Sequence, residues 1–145
     1  MGDYLTNPVR HPEDVGMGIL RRTITLAEFS AAGGKIPIGA LEAGTMPGSV
    51  SVYVETAFNA ATTNTLDIGT LATVAGFATA AGTLSGATGV KRGLTGTLTE
   101  IPLATDQIVY ATYAQTGTAA TTGKVVIRMD FVNKREGLGT VWPGN

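Results

Sequence analysis

Two stretches of this chain place an apolar residue at every second position, and few folds accommodate that period. In residues 49–58, Val50, Val52, Val54 and Phe58 fall on one side, while Ser51, Tyr53 and Glu55 fall on the other. In residues 124–132, Val125, Ile127, Met129 and Phe131 oppose Lys124, Arg128 and Asp130. Successive side chains of a strand point to opposite faces, so this pattern predicts strands with one face buried and the other wet.

Weaker versions of the pattern predict strands over residues 23–29, 35–41, 65–70, 94–101 and 107–115. Pro37 has no N–H to give a ladder, which places its strand at an edge or puts the proline at a strand end. Residues 71–82 break the alternation. Leu71, Val74, Ala75 and Ala78 fit a helical face, with Gly76 and several threonines against it, so a short helix or an ordered loop is expected there. Residues 116–123 are small and glycine-bearing, and the two long strands they join are expected to form an antiparallel pair. About eight short strands with glycine-rich turns and at most one short helix predict an all-β antiparallel β-sandwich. A jelly-roll-like topology is the first choice, and an immunoglobulin-like sandwich or a small barrel would give similar strings.

At 145 residues the chain suits one domain. The strand pattern assigns residues 20–133 to the sandwich, 1–19 to an extended N-terminal arm and 134–145 to a C-terminal tail. The arm carries Pro8 and Pro12, shows no periodicity and, fully stretched, reaches about 60 Å. Its apolar residues Tyr4, Leu5, Val9 and Val15 are anchors that a purely solvated tail does not need. Trp142, the sole tryptophan, lies outside any periodic strand; tryptophan is enriched among interface hot spots, so it is expected to dock on a neighbouring chain, the alternative being that it folds back onto its own sandwich. Arg21 and Arg22 sit where the arm meets the first strand. These seven residues are the candidate interface. Arg21, Arg22, Lys91 and Arg92 are candidates to pair with carboxylates on a partner, the alternative being ordinary surface charge, which is the first choice for Lys91 and Arg92.

Catalytic chemistry has little material here. Threonine outnumbers the 20 glycines, cysteine is absent, His11 is the one histidine and 14% of residues are charged. Tuned acids, bases and nucleophiles are what such a composition lacks, and no GxxxxGK[ST], GxSxG or HExxH pattern occurs. His11, Glu13 and Asp14 read as solvated residues of the arm. Gly16-Met-Gly18 and Gly137-Leu-Gly139 do not complete a dinucleotide fingerprint, and the formal myristoylation match at Met1 has meaning only where a eukaryotic transferase is present. No enzyme, cofactor or metal is expected. A net charge of −1 argues against a nucleic-acid partner. The lack of a long apolar run or a signal-like N-terminus argues against a membrane one.

The run Val50-Ser-Val-Tyr-Val-Glu-Thr-Ala-Phe-Asn-Ala-Ala-Thr-Thr-Asn-Thr-Leu-Asp-Ile-Gly69, continued through residues 89–132, resembles the capsid decoration, or cement, proteins of tailed bacteriophages, as on the heads of short-tailed phages. The resemblance implies a β-sandwich that sits on the outer capsid surface of the virion, is made in the host cytoplasm, and clamps adjacent major capsid protein subunits. Capsid symmetry then makes the chain its own second partner, as a homodimer first and a trimer next. The alternative is a receptor- or carbohydrate-binding module using Tyr53, Tyr110 or Tyr113. A third reading is a small hydrolase with paired carboxylates.

Overall fold

The alternating runs close on one another as two facing sheets. The structure, a computed structural model, describes residues 17–79 and 87–133. Within them the chain forms β1 (Met17–Thr25), α1 (Leu26–Ala31), β2 (Lys35–Leu41), β3 (Met46–Thr56), β4 (Thr63–Gly69), β5 (Ala78–Thr79), β6 (Gly89–Leu94), β7 (Gln107–Thr116) and β8 (Lys124–Val132). Sheet I has the order β1-β8-β3-β6 and sheet II the order β2-β7-β4-β5. The first strand pairs with the last, the second with the seventh, the third with the sixth and the fourth with the fifth, all antiparallel. That is one long hairpin rolled up on itself, a jelly roll. The expected all-β sandwich is present, and its strand order separates it from the immunoglobulin-like and barrel alternatives.

The inner faces supply the core. Val50, Val52 and Val54 of β3 and Val125, Ile127 and Met129 of β8 pack against Leu66 and Ile68 of β4 and Val109 and Ala111 of β7. Each of the valine, leucine, isoleucine and methionine side chains, fully buried, stabilises the fold by about 1.5–3 kcal/mol relative to exposure. One end is filled by aromatic rings, with Phe29 and Tyr113 centroids 5.4 Å apart and Phe58 and Tyr113 centroids 4.9 Å apart. Pro37 lies on β2, an edge strand, where its missing N–H breaks no central ladder.

Three expectations need correction. The strands flanking residues 116–123 do not pair. β7 bonds to β2 and β4 in sheet II, while β8 bonds to β1 and β3 in sheet I, so the loop crosses between sheets. The helix lies at Leu26–Ala31, overlapping the end of the run 23–29 expected to be a strand, because Thr25 and Glu28 form a capping box that bonds the first turn from both sides. Of the two alternatives expected for residues 71–82, the described part takes the ordered loop, a tight one ending in β5. The Thr70 N–H donates to the Thr73 carbonyl at 2.9 Å, and the Thr70 hydroxyl accepts from the Thr73 N–H at 3.0 Å, so a threonine turn takes the place of a helical one. Leu71 is left 68% exposed. The run expected over 94–101 is not a strand, since only its first residue, Leu94, belongs to one, as the last residue of β6. Beyond it Glu100 and Leu103 donate to the Pro47 and Thr45 carbonyls at 2.7 and 2.9 Å, which fastens the segment across the end of the sandwich.

Candidate functional site

With both inner faces in the core, the outer faces of the two sheets are what the body offers a partner, and they differ in chemistry. Sheet II presents Thr63, Thr65, Thr79 and Thr112 with Asp67, Lys35, Tyr110 and the exposed Ile108. Its polar groups are largely bonded to each other. The Thr63 and Thr116 hydroxyls are 2.7 Å apart across the β4–β7 ladder, the Thr79 hydroxyl donates to Asp67, and the Lys35 ammonium stands 5.9 Å from the centre of the Tyr110 ring.

Sheet I presents apolar and cationic side chains. Met17 pairs in register with Val132, which pairs with Met46, and all three are exposed, Met17 by 69%. Exposed Ile19 follows one position in from that end. Further along, Arg21 lies opposite Arg128, and Arg128 opposite Ser51. In the next row Thr23 lies opposite Val126, which is opposite Tyr53, which is opposite Val90. Two shallow depressions open on this face. One of about 440 Å³ is lined by Met17, Ile19, Arg128 and Asp130 among others. The second, of about 270 Å³, includes Arg21, Arg92, Arg128 and Tyr53 in its lining. The Arg128 guanidinium pairs with Asp130 at 3.2 Å, and Lys124 pairs with Glu55 at 2.6 Å.

Of the seven residues singled out from sequence, Tyr4, Leu5, Val9, Val15 and Trp142 lie outside the described residues. The structure separates the remaining two. Arg21 is exposed on the outer face of sheet I. Arg22 turns to the opposite side, where its Nη1 donates to the Pro37 carbonyl at 2.5 Å and its other terminal nitrogen is 3.8 Å from Glu28. Thr25, through backbone and hydroxyl hydrogen bonds, holds the Glu28 carboxyl below its ordinary value of 4.5, with Arg22 adding to the effect. Sequence reasoning missed Arg92, Arg128 and Tyr53 as members of the same surface. The outward parity of Tyr53 and Arg128 was readable, but Arg92 lies in β6, outside any strand the sequence suggested, and the strand order that unites the three was not readable.

The structure weighs against the aromatic platform considered from sequence. Tyr53 and Tyr110 stand on opposite outer faces. Tyr113 is buried, its hydroxyl donates to Asn64 Oδ1 at 2.7 Å, and burial raises its phenol above the ordinary 10.0. Among the described residues, no group of three or more His, Cys, Asp or Glu is placed to hold a metal ion, and no helix is long and apolar enough to cross a membrane. Neither depression on sheet I, nor a third of about 310 Å³ lined by Leu98, Ile101 and Leu103 among others, is lined by two carboxylates.

Three chains from phage capsid structures share this fold. A chain in the acidic stable capsid structure of Helicobacter pylori bacteriophage KHP30 superposes with a TM-score of 0.59 at 14% identity, covering 80% of this chain and 86% of that one. A chain of the cyanophage Pam1 capsid asymmetric unit gives 0.57 at 15% identity, over 83% and 86%. A chain of the capsid of Ralstonia phage GP4 gives 0.52 at 18% identity, over 84% and 86%. At these identities the likeness is one of fold. No family model and no curated protein matches the sequence.

Proposed function

We propose that this chain is a structural virion protein that binds the outer surface of a phage capsid and clamps adjacent major capsid protein subunits. The observation that carries the reading is that its jelly roll, followed over 80% or more of its length, recurs in chains of three phage capsid structures. The asymmetry of the sandwich supports it. Sheet I carries several exposed apolar side chains with arginines and a tyrosine, the composition enriched where protein surfaces meet, while sheet II carries mainly threonines bonded to their neighbours and one exposed large aliphatic side chain, Ile108.

The register of β1 on β8 adds a geometric support. Met17 pairs with Val132, so the chain enters and leaves the body at the same end of sheet I, beside the exposed Met46. Residues 17–19, expected in the arm, belong to β1, so an arm ending before Met17 and a tail of residues 134–145 both start from that apolar corner. In this reading Tyr4, Leu5, Val9, Val15 and Trp142 contact the shell or sister copies, which associate as a homodimer. Many small clamps placed at once on a lattice reach high avidity with ordinary interfaces.

Cosedimentation of the purified protein with undecorated heads tests the role. Saturable binding is expected, and failure to bind heads would overturn it. Deleting residues 1–15 is expected to leave a folded β protein that no longer decorates, and Trp142→Ala is expected to weaken assembly more than melting.

A further inference from the structure

We propose that the arginines of sheet I's outer face form a receiving site for carboxylates on the partner, so that the sandwich docks by this face on an acidic, apolar-flanked protein surface. The inference rests on the capsid-binding reading and names the chemistry of its contact.

Arg21 of β1 and Arg128 of β8 are direct cross-strand neighbours. Like charges placed opposite one another weaken an antiparallel pair, so the isolated fold gains nothing from this arrangement. Arg92 of β6 lines the same depression from the far side of β3. Three guanidinium groups drawn from three strands therefore line one hollow of about 270 Å³, with one carboxylate among the described residues, that of Asp130, paired to Arg128. The floor is Val126, only 7% exposed although it points outward, and Tyr53 stands beside it with its ring accessible. A planar guanidinium bonds a carboxylate through two parallel N–H groups, and does so more strongly where neighbouring apolar surface excludes water.

Charge complementarity selects the occupant. The outer face of sheet I holds Arg21, Arg92, Lys124 and Arg128 against Glu55 and Asp130. The rest of the described body has the opposite balance, with Glu28, Glu42, Asp67, Glu100 and Asp106 against Arg22, Lys35 and Lys91. One face is thus cationic on a chain whose net charge is −1. Exposed Met17, Ile19 and Val132 flank the arginines on the same face, where a tract for a phosphate backbone would continue with further cations. Carboxylates set among apolar side chains match both components.

The test titrates the full chain onto undecorated heads, comparing the wild type with Arg21→Glu, Arg92→Glu and, on the opposite sheet, Lys35→Glu. Each arginine reversal is expected to weaken head binding by about tenfold or more. Wild-type binding is expected to weaken as salt rises from about 50 to about 500 mM, and Lys35→Glu is expected to bind as the wild type does. Arg21→Glu is expected to melt no lower than the wild type, because it puts opposite charges across the β1–β8 pair, which separates loss of binding from loss of folding. Wild-type decoration with unaffected arginine variants would overturn the carboxylate site and leave the capsid role standing. A wild type that binds no head would overturn both. Capture of an acidic oligosaccharide in place of heads, lost in the arginine variants, would overturn the protein partner in favour of a glycan.

Discussion

Asn59 shows how single polar side chains hold this threonine- and glycine-rich chain in shape. Its Oδ1 accepts from the Thr121 and Thr122 N–H groups at 2.7 and 3.0 Å, and its Nδ2 donates to the Thr121 hydroxyl at 2.9 Å. Asn59→Ala removes all three bonds and is expected to cost about 1–3 kcal/mol in a urea titration. Beneath it, the Phe58 ring packs so closely on Gly123 that a Cβ there would overlap the ring. Phe58→Ala should cost about 3–5 kcal/mol through the cavity it leaves. Gly123→Ala should cost about 1–3 kcal/mol through overpacking, and unchanged midpoints would show that this end relaxes freely. Tyr113 gives the same region a pH signature. Its phenol is raised in the fold, so the contribution is complete below the ordinary value of 10.0 and falls as pH climbs above it. Tyr113→Phe should flatten that alkaline loss.

Among the elements, α1 stands on its first turn. Thr25→Ala is expected to cost about 0.5–2 kcal/mol, as loss of an N-cap does. Glu28 is held below its ordinary 4.5, so its contribution is present above that value and fades as pH falls through the lowered one. Glu28→Gln should therefore lose less stability on acidification than the wild type. The β7–β8 connection makes a sharper case. The strands lie in facing sheets about 10 Å apart, so replacing residues 117–122 by a two-residue turn is expected to abolish the native circular dichroism signal. A folded variant would contradict the crossing. These elements also show what the sequence could reveal. β3 and β8 were legible because one face is buried along nearly their full length, which enforces strict alternation. α1, with six residues, is too short to establish a period, although Thr25 and Glu28 spelled its capping box. Leu71 and Val74 matched a helical face while facing solvent, because the threonine turn and the Phe77 N–H bond to the Ile68 carbonyl at 2.9 Å determine that segment. The pairing of β7 and β8 was misread because rolling the long hairpin sends these two consecutive strands to opposite sheets, an effect with no local signal.

For the whole molecule, the distribution of charge matters more than its sum. A net charge of −1 conceals a cationic, apolar face on sheet I and an acidic balance elsewhere. Arg21 and Arg22 looked equivalent in sequence, yet a period of two separates adjacent residues, and only Arg21 joins the surface. Arg92 and Arg128 reach it through strand order, which one sequence does not encode locally. The two faces should therefore behave differently under chemical labelling of decorated heads, with Tyr53 protected and Tyr110 unchanged. The most direct measurement is imaging of heads saturated with the full chain, at a resolution that fixes the orientation of the sandwich. The account predicts ordered copies at lattice positions with β1, β8, β3 and β6 turned toward acidic residues of the shell. Copies resting on sheet II, or no ordered copies at all, would contradict it.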